Sequence, residues 1–396
     1  MPTSVFIFIL SFGCILAASP LSAVKYVFGD PPDSQHPWAV HDRNRPQPPR
    51  VEPGAHVGAA PSDAIVLFDG TEASFLQNWI YRRPKGKRKS DWIVGEGVLQ
   101  CVSGAGFIES KEHFGDCQLH IEWMAPPVIE WKRGQRRGNS GVYLLGQFEV
   151  QILDSYNNPT YSDGSAGAVY GVMPPASNSL RGPGQWQSYD IIFRRPIVKD
   201  GIVLDEGSMT VLMNGVVVQD STPLDGGGGF KKRKVLNRFY PDTGPLALQE
   251  HGNPVRFRNI WYRPLRPRPV DGGTDGRLSA EVTLAKRAEI ASDIREAAKE
   301  QHGIDRAILL LESLAYELDE ATFAKVNQLV SDYLVKFDFA KSKYLSNQKE
   351  NVLLLDKLLI HLNKHNLIPV DYFALSKVND IAIEQGWKKK SRQKKR

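Results

Sequence analysis

At 396 residues the chain exceeds what one hydrophobic core organises, and its composition, 41 % hydrophobic and 24 % charged, points to a soluble protein of two folded units with connecting segments. The net charge of +6 belongs to one end, because Lys388, Lys389, Lys390, Arg392, Lys394, Lys395 and Arg396 supply seven positive charges and the rest sums to −1 (+6 − 7). Three cysteines without a Cys-x-x-Cys exclude a zinc cluster or a dithiol redox centre, and no nucleic-acid-reading motif accompanies the basic end.

Residues 1–23 read as a signal peptide: the apolar run from Val5 to Leu10, continued from Cys14 to Ala18, is too short for a comfortable membrane span and ends in small residues. Cleavage is expected after Ala18 or Ala23. No Lys or Arg precedes the run, which keeps an uncleaved anchor open, and Cys14 after Ser11-Phe12-Gly13 makes a poor lipoprotein box. Cleavage leaves no transmembrane segment and implies a periplasmic or extracellular location. There Cys101 and Cys117 either form one disulfide or remain two separate buried thiols. Residues 24–61 carry Pro31-Pro32, Pro46, Pro48-Pro49 and Pro53 among few apolar residues and read as an extended linker.

Residues 62–266 show short alternating apolar runs punctuated by turn residues. Ile65 to Phe68 stops at a hairpin turn expected at Asp69-Gly70, Trp92 to Val94 turns at Gly95-Glu96-Gly97, and Leu119 to Trp123 stops at Pro126-Pro127. Further strands are expected within Gly141 to Leu153, Tyr189 to Arg194, Met209 to Met213, Val216 to Val218, Leu246 to Gln249 and Val255 to Tyr262. Asn214-Gly215 is the clearest hairpin signal, since a type I′ turn needs positive φ at both positions. Strands without intervening helices predict an antiparallel sandwich.

After Pro269 the period becomes helical. Leu278, Val282, Ala285, Ala288 and Ile294, then Leu311, Leu314 and Leu318, then Val352, Leu355, Leu358-Leu359 and Leu362 predict a small all-α module over 275–387, with helix starts near Asp319 and Pro369. Its aliphatic stripes read as core. The basic tail, 388–396, is a solvated end or a handle for an anionic partner.

Seven segments of the sandwich region occur in a distinctive order: Leu67-Phe68-Asp69-Gly70; Asn139-Ser140-Gly141-Val142-Tyr143-Leu144; Phe148-Glu149-Val150-Gln151-Ile152-Leu153-Asp154-Ser155; Gly167-Ala168-Val169-Tyr170-Gly171; Gly184-Gln185-Trp186; Asn214-Gly215; and Leu248-Gln249-Glu250-His251-Gly252 followed by Val255 to Ile260. In order and spacing they resemble the 3-keto-disaccharide hydrolase family. The resemblance implies a concanavalin A-like jelly roll and a 3-keto-glycoside substrate, and it covers neither the linker nor the helical module.

A ketone at C3 acidifies the hydrogen on C2, so a general base and a stabiliser of the resulting enolate can drive elimination of the C1 substituent, with water adding back afterwards. Alternation along a strand puts Glu149 and Gln151 on one face, and Gln249 with His251 on another. These four are expected to converge. Glu149 and His251 are the candidate catalytic pair, as acid, base or ligands of a divalent metal of unspecified identity, and Asn139, Tyr143, Gln151, Trp186 and Gln249 are the candidate sugar contacts.

Gln151 between Glu149 and Asp154 speaks against a two-carboxylate retaining glucanase, because an amide is neither nucleophile nor proton donor in that scheme. A non-catalytic, lectin-like module is the alternative, since binding needs no titratable pair. Two further features stand out. Gln147 occupies a position where the family resemblance leads one to expect Arg, and Lys231-Lys232-Arg233-Lys234 follows a Gly226 to Gly229 run as a loop that is either solvated surface or a handle for acidic polysaccharide.

Overall fold

Period-two burial along most of the expected strands builds the larger unit, Pro49–Gly273, in the computed structural model. Residues 29–83, 86–127, 131–274, 276–338, 345 and 347–389 are described; the expected signal peptide and all of the basic tail beyond Lys389 lie outside them. In chain order the strands are β1 Ile65–Phe68, β2 Trp79–Tyr81, β3 Ile93–Gly95, β4 Val98–Gln100, β5 Ile108–Phe114, β6 Cys117–Met124, β7 Ser140–Leu144, β8 Phe148–Ile152, β9 Gln187–Arg194, β10 Ile197–Lys199, β11 Ile202–Asp205, β12 Ser208–Met213, β13 Val216–Pro223, β14 Gly228–Gly229, β15 Lys232–Arg233, β16 Gly244–Leu248 and β17 Arg256–Pro264.

One antiparallel sheet has eight strands, ordered β13-β12-β9-β6-β17-β4-β3 with β1 also on β17, and a second has five, β2-β5-β16-β7-β8. Between them lies one core in which Trp123, Tyr189, Tyr262, Phe148 and Phe257 are fully buried. Each such side chain contributes about 1.5–3 kcal/mol relative to exposure. Asn214 and Gly215 have φ of 54° and 81°, the type I′ turn expected between β12 and β13.

Two local readings change and an open one is decided. Asp69-Gly70 does not close a hairpin: Asp69 Oδ1 accepts hydrogen bonds from Thr71, which caps a short helix, α1 Glu72–Asn78. β5 escaped the alternation because its centre, Lys111-Glu112-His113, is exposed. Cys101 and Cys117 are both buried and free, Cys101 Sγ lying 3.6 Å from the Gln249 carbonyl oxygen, so the reading with two separate thiols holds.

The second unit joins the segment up to Pro48 to the chain from Thr274 onward. Among the described residues it holds α2 Ala280–Ala297, α3 Gly303–Ser313, α4 Glu320–Asp338, α5 Lys349–Lys364 and α6 Phe373–Glu384. Asp319 caps α4 as expected, its carboxylate accepting from Thr322 N at 2.6 Å, whereas α6 starts at Phe373, beyond Pro369.

The stretch read as linker is divided between the units. Trp38 packs against Ile290, Ile294 and Tyr316, Tyr316 Oη donates to Asp42 at 2.6 Å, and Asn44 Nδ2 donates to Glu312 at 2.7 Å. Gly58, by contrast, lies on the large sheet, its carbonyl accepting from Asn259 Nδ2 and Trp261 Nε1 at 2.8 and 2.9 Å. No helix among the described residues is long and apolar enough to cross a membrane.

Candidate active site

The outer face of the five-stranded sheet carries two cross-strand rows. Register places Glu149, Tyr143 and Ala247 opposite one another, and in the next row Gln151 faces Gly141, whose carbonyl accepts from Gln249 N at 3.0 Å. Their in-between neighbours Val142, Val150 and Leu248 point into the core. The small residues Gly141 and Ala247 make a floor over which the longer side chains lean. Beside β8, Tyr170 N donates to the Glu149 carbonyl and Gly167 N to that of Gln151, so the Gly167 to Gly171 segment forms a wall.

These rows line a cleft of about 640 Å³ that brings together Asn139, Tyr143, Glu149, Gln151, Gln249 and His251. Gln135, Tyr161, Tyr170, Gly228, Gly229, Phe230 and Lys234 also line it and were not among the sequence candidates. Trp186 is not in it. That residue is half-buried just before β9 of the other sheet, with the Arg258 guanidinium 4.0 Å over its ring, so sheet membership removes it from the sugar contacts.

Burial pushes the Glu149 carboxyl up to about 7, against the opposing pull of a Tyr143 hydrogen bond and the Lys234 charge. Burial and then the Glu149 charge push the Tyr143 phenol far above its ordinary value, so it stays a neutral donor. Tyr143 Oη in turn accepts from Gln249 Nε2 at 3.0 Å, while the buried Gln249 Oε1 has no partner among the described residues. A buried acceptor left open in a cleft suits a ligand hydroxyl. Lys234 is held below the ordinary lysine value first by burial and then by Arg238, with Glu149 opposing.

Asn139 and Gln151 serve differently. Gln151 Nε2 donates to Asn139 Oδ1, Ser140 O and Ile152 O at 3.1, 3.1 and 2.8 Å, and Asn139 Nδ2 donates to the Gln135 carbonyl at 2.9 Å. Their donors are engaged in holding the floor. Asp154 is buried and paired to Arg137, Nε to Oδ2 at 2.8 Å, which removes it as a second carboxylate. The missing Arg at Gln147 is answered in space: Arg238 donates to Gln147 Oε1 at 2.9 Å and Lys234 Nζ lies 3.5 Å from the Gln147 carbonyl oxygen.

His251 is exposed at the rim. Glu149 and His251 are two metal donors, Glu149 is the cleft's sole lining carboxylate among the described residues, and no group of three His, Cys, Asp or Glu stands together there. Two such side chains fall short of a protein-only coordination shell, and no step below runs through a metal ion.

Gly141 is a sensitive point. A Cβ there would stand 2.3 Å from Glu149 Oε1 and 3.0 Å from Tyr143 Cε2. Gly141→Ala is expected to displace the carboxylate and cost about 10²-fold in kcat/KM. The backbone φ suits alanine, so overpacking should cost no more than about 1–3 kcal/mol in a thermal melt. Wild-type turnover in that variant would show that Glu149's position is immaterial.

A family model described as the 3-keto-alpha-glucoside-1,2-lyase-like domain matches residues 63–263. A crystal structure of a candidate glycosyl hydrolase from Parabacteroides distasonis ATCC 8503 is 41 % identical, covering 56 % of this chain and 93 % of its own, with a TM-score of 0.51. A second candidate glycosyl hydrolase from that organism is 20 % identical over 47 % of this chain and 99 % of its own, TM-score 0.34. The alginate lyase Aly36B is 10 % identical over 52 % and 98 %, TM-score 0.33. No curated protein matches the chain.

Proposed function

The chain belongs to the 3-keto-alpha-glucoside-1,2-lyase-like family, and from that membership we propose that it cleaves 3-keto-glycosides by elimination. The family and the 41 % identical neighbour make the sandwich a carbohydrate-active domain. The observation that carries the finer reading is Glu149: one buried carboxyl with a pKa brought near neutrality, in a cleft whose other charged group is a partly desolvated ammonium.

In this reading ionised Glu149 removes the C2 proton, and the electron pair forms the enolate onto the C3 oxygen. Lys234 donates a hydrogen bond to that oxygen, and its charge is worth more in the desolvated cleft than in water. Collapse of the enolate forms the C1–C2 double bond and breaks the bond from C1 to the glycosidic oxygen, which takes a proton from His251 at the rim or from solvent. The product is a 2-hydroxy-3-keto-glucal, and adding water across the double bond gives net hydrolysis. Gln249 Oε1 accepts a sugar hydroxyl, and Tyr143 holds Glu149 in place.

The non-catalytic lectin-like reading leaves the shift at Glu149 without a use. The sheet order, with β6 and β17 adjacent though far apart in sequence, supports a jelly-roll winding of the concanavalin A type. The apolar N-terminal run supports export.

The test is turnover of a 3-keto-glucoside deuterated at C2. Elimination predicts a primary isotope effect on single-turnover rate and a glucal intermediate seen by its enone absorbance. Cleavage with no isotope effect and no glucal would sink the mechanism, and glycan binding without turnover would establish the lectin-like reading.

A further inference from the structure

The glycine run 226–229 seats a basic hairpin beside the cleft. A Cβ at Gly228 would lie 1.8 Å from the Tyr170 carbonyl oxygen, and one at Gly171 would lie 3.3 Å from Gly229 N, so the β14–β15 ribbon rests backbone against backbone on the Tyr170 wall. No residue with a side chain could sit at 228 without lifting the ribbon away. The close seating fixes where the turn delivers Phe230, Lys231, Lys232 and Arg233.

They line a second cleft, of about 340 Å³, which shares Tyr161, Tyr170, Gly229 and Phe230 with the active-site cleft. Lys231, Lys232 and Arg233 are exposed, and Asp163 is the cleft's sole acid among its described lining residues. The nearest ion pair on the ribbon, Arg233 to Asp225, is 3.9 Å, too long for a hydrogen bond. Cations concentrated in a concave site attract an anion and speed its capture. Phe230 is 65 % and Tyr161 42 % exposed, aromatic surface of the kind on which a pyranose ring rests, with the Lys231 ammonium 5.3 Å from the Phe230 ring centroid.

We propose that this second cleft holds the departing part of the substrate, and that this part is an anionic sugar bearing a carboxylate or a sulfate ester. That this sugar departs rests on the elimination reading; recognition of an anionic sugar stands on the hairpin alone. Both kinds of anion offer several acceptor oxygens to a lysine or arginine, so charge and the aromatic platform recognise what they share.

The experiment is calorimetric titration of the whole chain with cellobiose and with cellobiose carrying a carboxylate or a sulfate ester at C6 of its reducing-end glucose, none of which has the 3-keto group that elimination needs. At low salt the acidic disaccharides are expected to bind about tenfold tighter than cellobiose, as a few exposed charge contacts provide. The advantage should vanish in the Lys231→Ser, Lys232→Ser, Arg233→Ser triple variant and in about 0.5 M sodium chloride. The tighter of the two acids identifies the anion. Equal affinity for acidic and neutral sugars, or a preference that survives the triple substitution, overturns the proposal. Turnover of 3-keto-trehalose, which is neutral, is measured alongside: its failure sinks the elimination reading and leaves the binding comparison to decide the anionic subsite.

Discussion

Glu149→Gln is expected to lower kcat on a 3-keto-glucoside by about 10³-fold, the scale of a general base, and to make the chain more stable than wild type above neutral pH. Both effects follow from the same burial. The folded carboxyl titrates near 7 against an ordinary 4.5, so the folded state holds its proton more tightly than the unfolded chain. Its contribution to stability is full below 4.5 and is lost as pH rises to about 7, leaving a buried charge whose cost is at most roughly 3 kcal/mol. Glutamine keeps the shape and never ionises. Melts of the two proteins should therefore diverge between pH 5 and pH 8, and the activity difference should widen over the same range as the wild-type carboxyl ionises. A variant that melts with wild type at both pH values would show that Glu149 is not desolvated, and retained turnover would show that it is not the base.

Much of this site was legible in the sequence because strand alternation is local. Glu149 and Gln151, two apart on β8, had to share a face, and the same rule paired Gln249 with His251, which line the cleft with them. What alternation does not encode is which sheet a strand joins, and this is why Trp186 was expected in a cleft that it does not reach. Lys234 was hidden in another way. It ends a run of four cations that reads as solvated surface or as a handle for acidic polysaccharide, yet Lys234 is half-buried in the cleft while Lys231 to Arg233 face solvent. The linker reading failed at Trp38, Asp42 and Asn44 because their partners, Ile290, Tyr316 and Glu312, stand some 250 residues away. A proline-rich stretch with few apolar residues gives no local sign of such contacts.

Lys234→Met should lower kcat about 10²-fold and move the acidic limb of the pH profile upward. The two effects have separate causes. Loss of turnover follows from removing the donor aimed at the enolate oxygen, where negative charge develops during proton removal. The limb moves because Lys234's charge lowers the Glu149 carboxyl's pKa, so without it the base needs a higher pH to ionise. Wild type is expected to lose kcat/KM as pH falls through about 7, the value at which burial sets Glu149. In the variant that loss begins at a higher pH, and raising the pH restores the ionised base without restoring the enolate's partner. The plateau rate, reached where Glu149 is fully ionised, therefore isolates the stabiliser from the base. A shifted limb with an unchanged plateau would reduce Lys234 to an electrostatic neighbour, and an unshifted limb would break the link between the two charges. Arg238, held to Gln147 Oε1, cannot take over without giving up that contact, so the plateau loss should persist.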